Sequence, residues 1–307
     1  MKTAIKVLKP PSSKSSYFKH SSSHLKQLFY EEIRVHSALK FMNCVELLGI
    51  CIEPPSLVME WCNYGNLYDI LHNKDDYYNI PYVARIRYAL DIARGLQYMQ
   101  SLKPFPMAHL DLKSPNIMLF AKQHEAPVCC KIADFGTSVF VSEPLHGRKV
   151  DNPVWLAPEI LLDIPYDHRV DTYSFGVICW EIIARTNFFG DDGSFLTIIQ
   201  KRILNGERPP IPEFTVPDYR DIISQCWSQF PEDRPHELSS VIATLEQMYN
   251  DFKGAFQHFV KYHDSPTQTG RAKNVRRSVS SGNSSLVKRD RVQQLPKLSP
   301  IKEKIQS

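Results

Sequence analysis

Glycine is scarce in this chain. Only 12 of the 307 residues are glycine, and the first of them is Gly49. A loop that wraps its backbone around phosphate groups usually depends on several closely spaced glycines. Residues 1–48 therefore contain no glycine-rich phosphate-binding loop.

The chain also lacks a long apolar run. The longest, residues 173–184, is interrupted by Glu181 and falls short of the roughly 20 residues that a membrane-spanning helix needs. Near the start, Lys2, Lys6 and Lys9 alternate with apolar residues, so this stretch has no continuous apolar core like that of a signal peptide. We expect no membrane insertion and a cytoplasmic or nuclear location.

The cysteines show no pairing pattern. Their number is odd, none forms a C-x-x-C pair, and the eleven histidines do not cluster with them. We expect buried free thiols and no structural zinc. The seven are Cys44, Cys51, Cys62, Cys129, Cys130, Cys179 and Cys226.

The net charge of +4 combines two regions of opposite sign. Residues 265–307 contain ten Lys or Arg and two Asp or Glu, whereas residues 1–264 contain 27 and 31. The C-terminal region has few large apolar side chains, so we expect a basic, Ser-rich, disordered tail. Because no aromatic residue follows Tyr262 to stack on bases, we expect no specific binding of nucleic acid.

Strands are predicted first and helices after them. Alternating apolar residues predict a strand over residues 2–9, and apolar runs at 45–52 and 57–61 predict two more. Helical periodicity is clear over 83–99, and residues 170–184 are apolar nearly all round, as in a buried central helix. Other predicted helices cover 25–39, 195–204, 217–227 and 237–249. This order favours an α+β protein with a small sheet-bearing lobe and a larger helical lobe.

Three motifs follow one another in the middle of the chain. They read AHLDLKSPNIMLF from Ala108, ADFGTS from Ala133 and NPVWLAPEIL from Asn152. Together they resemble the H-R-D-L-x-x-x-N, D-F-G and A-P-E motifs of the eukaryotic protein kinases. Each motif alone would be weak, but their joint order and spacing are highly specific.

The resemblance implies how the chain is organised. The fold would be α+β and bilobal, a protein kinase-like fold with a truncated small β lobe, from which the first two strands are absent, and a mainly helical large lobe. The implied boundaries are 1–60 for the small-lobe remnant, 60–64 for the hinge and 65–262 for the large lobe, which gives a kinase domain over 1–262 and a tail over 263–307.

The motifs also imply a phosphoryl-transfer site. Asp111 would be the catalytic base and Lys113 the cation near the transferred phosphate, while Asn116 and Asp134 would hold Mg²⁺. The implied reaction transfers the γ-phosphate of ATP to hydroxyl groups of protein substrates. Without the joint pattern, each side chain would be an ordinary surface loop residue.

On the nucleotide side, Thr3-Ala4-Ile5-Lys6 resembles the strand whose lysine pairs with the ATP phosphates. The resemblance implies that Glu32 pairs with Lys6. Glu32 fits better than Glu31 because an apolar residue follows it directly, and a solvated helix carboxylate is the alternative.

The stretch SLVMEWCNYGNL resembles the hinge between the two lobes. Met59 would be the gatekeeper at the back of the adenine pocket, and the backbone of Glu60 and Cys62 would bond the adenine edge. These residues would be equally suited to a core strand and a turn, so the hinge assignment depends on the downstream motifs.

Further matches are structural. Asp171 would accept hydrogen bonds from the catalytic-loop backbone, and Glu159 would pair with Arg234. The implied residues of the stacked regulatory spine are His36, Leu47, His109 and Phe135. A histidine is polar for the first of these positions. Gly136 completes the D-F-G motif.

The sequence mixes features of two kinase branches. Lys113 is typical of serine/threonine kinases, whereas LLGIC and CWSQFPEDRP resemble the tyrosine-kinase branch. The mixture is typical of the tyrosine-kinase-like group of serine/threonine kinases, with tyrosine left open as an acceptor. Asn152 stands where many serine/threonine kinases have a threonine.

Leu110 replaces the arginine that usually precedes the catalytic aspartate. That arginine binds a phosphorylated activation loop, and leucine has no donor with which to do so. We therefore expect that phosphorylation of Thr137, Ser138 or Ser142 does not switch activity by the usual charge pairing.

The missing glycine-rich loop leaves the function open. Losing two or three backbone hydrogen bonds to phosphate would remove on the order of 3–9 kcal/mol, and nucleotide binding in the micromolar to millimolar range totals only about 4–8 kcal/mol. The sequence is either a truncated form of an active kinase or a pseudokinase scaffold with weak or no ATP binding. The intact Lys6, Asp111, Asn116 and Asp134 favour the first. A nucleic-acid-binding protein is a third alternative.

Three serines of the tail resemble kinase targets. Ser278 follows Arg276 and Arg277, and Ser265 and Ser299 each precede a proline. Upstream kinases are the expected partners there, and an unregulated tail is the alternative.

Overall fold

A small antiparallel sheet precedes most of the helices. The computed structural model describes residues 2–8, 21–73, 80–147, 152–189 and 195–263, with the backbone alone described for 21–24 and 255–263. The described strands are β1 (Thr3–Val7), β2 (Leu47–Cys51), β3 (Ser56–Glu60), β4 (Met107–Ala108), β5 (Ile117–Leu119), β6 (Cys130–Ile132) and β7 (Val139–Phe140). The described α-helices are α1 (Ser21–Ser37), α2 (Leu67–His72), α3 (Tyr82–Gln100), α4 (Pro158–Leu161), α5 (Arg169–Ala184), α6 (Leu196–Leu204), α7 (Pro217–Cys226) and α8 (Ser239–His263).

The first three strands form one sheet in the order β1-β3-β2. The central strand β3 is antiparallel to both neighbours, with Leu57 opposite Lys6 and Met59 opposite both Ala4 and Leu47. In the described part of the chain, no strand pairs with the outer edge of β1.

Helix α1 buries one face. Phe29, Val35 and His36 are buried at helical spacing, and Glu32 is buried among them with 6% of its surface exposed. A buried carboxylate is costly unless it is paired, so this position requires a cationic partner.

The large lobe is built around α5. Residues Val170 to Ile183 of this helix are all buried, and α3 and α7 pack against it. The contact with the end of α7 is close, because a Cβ at Gly176 would lie 2.7 Å from the Trp227 backbone nitrogen. Glycine therefore lets the two segments approach closely.

Two short sheets connect the loops of this lobe. Strand β4 pairs with β7 through Met107 and Phe140, and β5 pairs with β6 through Ile117 and Ile132. The sequence did not predict them, because strands of two or three residues are too short to show an alternating pattern.

The predicted α+β class is confirmed. The predicted helices agree with α1, α3 and α5 to α7 within a few residues, but α8 continues to His263, well past residue 249. Phe252 lies in this extension and packs on Tyr82, with 4.8 Å between the ring centroids. Residues 1–264 group as one compact unit. The predicted tail sites Ser265, Ser278 and Ser299 lie outside the described residues.

None of the helices in the described ranges is both long enough and apolar enough to cross a membrane.

Candidate active site

The β5–β6 pair brings two of the predicted motifs together. Asn116 directly precedes β5 and Ala133 directly follows β6. The Ala133 N–H donates to the Asn116 carbonyl oxygen at 2.9 Å. Asp134 is the next residue, so the two predicted magnesium ligands lie beside each other at one end of this pair.

Asp171 fixes the backbone ahead of Asp111. Its carboxylate accepts the N–H of His109 at 2.6 Å and the N–H of Leu110 at 3.0 Å. Leu110 has a φ of +64°, which side chains other than glycine rarely adopt. The buried carboxylate of α5 therefore holds a strained turn in place.

The His109 ring is held by two hydrogen bonds. Its Nδ1 accepts the Asp111 N–H at 3.2 Å, which leaves Nε2 to donate to the Ala133 carbonyl oxygen at 3.0 Å. These bonds link the turn before Asp111 to the residue before Asp134.

Asp111, Lys113 and Asn116 form one polar cluster. Lys113 Nζ lies 2.8 Å from Asp111 Oδ2, and Asn116 Nδ2 donates to that oxygen at 3.0 Å and to the Asp111 carbonyl at 2.8 Å. Because both hydrogens of Nδ2 are used, Asn116 Oδ1 remains the side chain's group for a cation.

Lys6 joins two carboxylates. Its Nζ lies 2.7 Å from Glu32 Oε1 and 2.7 Å from Asp134 Oδ1. Glu31 is exposed and accepts a hydrogen bond from Gln27 instead, so Glu32 is the partner of the lysine. A Cβ at Gly136 would lie 3.4 Å from both Lys6 Nζ and Glu32 Oε2, which places this glycine against the cluster.

The charges in this cluster stabilise one another. Burial alone would lower the pKa of Lys6, but its bonds to Asp134 and Glu32 outweigh burial and raise the pKa. Burial alone would raise the pKa of Asp134, but Lys6 holds it below its ordinary value. Asp134 is therefore ionised near neutral pH.

The donor set suits a hard divalent cation. Asp134 offers a charged carboxylate and Asn116 an amide oxygen, and Mg²⁺ is often held by one or two such groups together with substrate phosphates. No group of three or more His, Cys, Asp or Glu with the arrangement of a metal site occurs in the described ranges. Asp134 and Asn116 thus fit magnesium held jointly with a phosphate.

The predicted hinge follows β3. Met59 is in that strand, across from Ala4 and next to the strand that carries Lys6. The Cys62 thiol donates to the carbonyl oxygens of Leu119 and Gly65, and burial raises its pKa. The contact with Leu119 fastens the segment after the sheet to the end of β5.

Three of the four predicted spine residues are in ring contact. Phe135 lies between His36, at 4.7 Å between centroids, and His109, at 5.4 Å. His36 Nε2 donates to the Val45 carbonyl oxygen at 2.7 Å, and burial lowers the pKa of the ring. Leu47 lies in β2 opposite Met59. A neutral, hydrogen-bonded histidine is therefore accommodated in the stack.

Residues 1–245 match the family described as protein tyrosine and serine/threonine kinase. The chain belongs to this family. Its kinase domain is 37% identical over 255 residues to the probable serine/threonine-protein kinase pats1 of Dictyostelium discoideum, a match that covers 81% of this chain and 8% of pats1. It is 38% identical over 226 residues to the probable serine/threonine-protein kinase roco11 of the same organism, covering 73% of this chain and 15% of roco11.

A third relative from Dictyostelium discoideum is the cyclic GMP-binding protein C, 36% identical over 231 residues, with 73% of this chain and 8% of that protein covered. The chain thus spans between 8% and 15% of the length of these three relatives.

Glu159 and Arg234 lie away from the site, within the large lobe of the kinase domain. Arg234 Nη1 lies 2.5 Å from Glu159 Oε1 and Nη2 lies 2.8 Å from Oε2. Both side chains are buried, and Arg234 also donates to the carbonyl oxygens of Ser228 and Arg169. The pair therefore ties together the A-P-E segment and the turn before α8.

Two hydroxyls that the sequence analysis did not place in the site hold the segment after D-F-G. Thr137 Oγ1 and Ser138 Oγ donate to the His109 carbonyl oxygen at 3.0 and 3.2 Å. Their position directly after D-F-G was the only available signal. Asn152 Oδ1 accepts the Val154 N–H at 3.1 Å, so this side chain supports its own loop.

Proposed function

We propose that this kinase domain is an ATP-dependent serine/threonine protein kinase of the tyrosine-kinase-like group, acting on protein substrates in signalling. The observation that carries the proposal is the double contact of Lys6 with Glu32 and Asp134. It supports the proposal because phosphoryl transfer by kinases requires a strand lysine paired with a helix glutamate, and Lys6 and Glu32 form such a pair beside Asp134. The similarity to probable serine/threonine kinases supports that acceptor preference over tyrosine.

Each residue of the site then has a defined task. Asp111 orients the acceptor hydroxyl and accepts its proton, and Lys113, 2.8 Å from Asp111, supplies positive charge beside the transferred group. Lys6, aligned by Glu32, pairs with the nucleotide phosphates. Asp134 and Asn116 hold the metal. Magnesium, when bound with ATP, neutralises the charge of the phosphates.

The adenine would be bound by backbone groups of Glu60 and Cys62, with Met59 behind it. The bonds between the hinge segment and β5 support this assignment, because they hold the hinge backbone still. We place the kinase domain at 1–262, with the small lobe, hinge and large lobe at 1–60, 60–64 and 65–262.

A pseudokinase scaffold is the second candidate. Its basis is that residues 1–48 contain no glycine, so these residues supply no glycine-rich loop to a bound nucleotide. The intact polar clusters around Asp111 and Lys6 favour the enzyme.

The test measures magnesium-dependent transfer of the γ-phosphate of ATP to a general protein substrate, with nucleotide affinity measured separately. We expect transfer by the wild type and its loss in Asp111→Asn, with nucleotide affinity retained. Asp221→Asn, an exposed aspartate on α7, is the matched control. Nucleotide binding without transfer would support the scaffold and contradict the enzyme.

A further inference from the structure

Lys131 and Glu60 form an ion pair that the proposed mechanism does not use. Lys131 Nζ lies 2.5 Å from Glu60 Oε1 and 2.7 Å from Oε2. The exposed fractions of the two side chains are only 14% and 16%. The ammonium also lies 4.6 Å from the centroid of the Phe120 ring. Such a shielded, doubly bonded pair is stronger than an ordinary surface pair.

The two residues belong to different parts of the site. Glu60 ends β3 and begins the hinge, whereas Lys131 lies in β6, three residues before Asp134. Glu60 Oε1 also accepts the Glu46 N–H at 2.7 Å, and the Glu60 N–H donates to the Glu46 carbonyl at 3.1 Å. The side chain therefore connects the hinge to β6 and to the segment before β2.

Strand β6 is anchored on its other side by the segment that follows α1. Ile132 donates to the Asn43 carbonyl at 2.8 Å and accepts the Val45 N–H at 2.8 Å. A Cβ at Gly95 would lie 2.9 Å from the Asn43 carbonyl oxygen, so α3 presses closely on this segment. Because β6 is fixed in this way, the bonds of Lys131 to Glu60 connect the hinge to a strand of fixed position.

We propose that Lys131 and Glu60 are positioning residues that hold the hinge backbone at a fixed spacing from the Asp134 loop, so that one nucleotide contacts both. This inference rests on the proposed function. The pair sets nucleotide affinity and leaves phosphate transfer at saturating ATP nearly unchanged, because neither side chain reaches the reacting atoms.

The experiment compares Lys131→Met, Glu60→Gln and the double variant with the wild type. Methionine keeps an unbranched apolar stem beside Phe120, and glutamine keeps an acceptor for the Glu46 N–H. We expect the KM for ATP and the Kd for ADP to rise about tenfold in each single variant, as for the loss of one charged hydrogen bond, with kcat within about twofold. The double variant is no weaker than either single one, and Lys131→Arg retains most of the affinity.

Arg94→Met and Glu246→Gln provide the control. In the wild type, Arg94 and Glu246 form another ion pair between distant segments, also at 2.7 Å, but this pair joins α3 to α8. These variants leave the KM for ATP unchanged.

Several results would overturn the inference: an unchanged KM and Kd, effects that simply add in the double variant, or a kcat that rises while affinity stays constant. A wild type that binds nucleotide but transfers no phosphate contradicts the proposed function alone, since the Kd comparison still tests the pair. A wild type that binds no nucleotide contradicts both.

Discussion

Lys6 Nζ lies 2.7 Å from Asp134 Oδ1, although the two residues are 128 positions apart in the chain. The same ammonium bonds Glu32, so a single cation links β1, α1 and the loop that carries Asp134. A divalent cation at Asp134 would share this carboxylate with Lys6 or displace the contact. In the proposed function, the lysine would therefore act both on the nucleotide phosphates and on the position of the Asp134 carboxylate.

Replacing Lys6 with methionine tests this role. We expect kcat/KM for ATP to fall by about 100-fold or more, because the variant loses a preorganised cation and leaves the buried Glu32 unpaired. Steady-state kinetics with varied ATP measures the loss. Lys2→Met is the control, since Lys2 is exposed and precedes β1. Equal losses in both variants would show that the effect is not specific to the cluster.

Phosphorylation near D-F-G should not activate the enzyme. Leu110 has no donor for a phosphate, and Ser142 is exposed. We expect Ser142→Asp and Ser142→Ala to change kcat by no more than about twofold, as for other surface substitutions. Turnover that rises strongly on phosphorylation and is reversed by phosphatase would contradict this expectation.

An acidic group at Ser138, in contrast, should lower turnover. The Ser138 hydroxyl is buried and donates to the His109 carbonyl oxygen. An acidic group at this position would remove the hydrogen bond and place a negative charge close to that carbonyl oxygen. We expect Ser138→Asp to lower kcat by about tenfold, whereas Ser138→Thr, which keeps the hydroxyl, retains most activity. The same assay measures both, and unchanged turnover in Ser138→Asp would show that the bond does not matter.

How far the sequence predicted the structure depended on the length of each signal. Helices α3 and α5 were predictable because their apolar patterns extend over four or more turns. Asp111, Asn116 and Asp134 were assigned by motif spacing, and the structure places these side chains in the adjoining clusters described above. The pair of Lys131 and Glu60 could not be predicted, since 71 positions separate them and neither belongs to a periodic pattern.

Glu181 is another residue whose contacts could not be predicted from the sequence. In the sequence it only interrupts an apolar run, but in the structure it is buried within α5, with Oε2 accepting the Trp155 indole N–H at 3.2 Å and His72 Nε2 lying 3.6 Å from Oε1. Such a contact between three separate segments has no local sequence signal.

The pair of Arg234 and Glu159 should contribute mainly to stability. Exposed fractions of 0% and 3% mean that removing one partner leaves a charge buried without its counterion. We expect Arg234→Met and Glu159→Gln each to lower the free energy of unfolding by about 3–5 kcal/mol, and the double variant to lose less than the sum. Urea denaturation followed by fluorescence measures this. Losses that simply add would show that the two side chains do not act as a pair.

Glu181 should make stability depend on pH. Burial raises its pKa from 4.5 to about 7, and the hydrogen bond from the Trp155 indole N–H offsets part of that rise. Between these two values the folded state retains a proton that the unfolded chain releases, so this group lowers stability as the pH increases.

Glu181→Gln removes the effect. The free energy of unfolding of Glu181→Gln, relative to that of the wild type, should therefore increase by about 1–3 kcal/mol as the pH rises from 4.5 to 7. It should change little above pH 7. Denaturation curves across this range measure the difference, with the exposed Glu213→Gln as control. Parallel curves for Glu181→Gln and the wild type would contradict the assignment of Glu181 as a buried carboxyl that titrates near neutral pH.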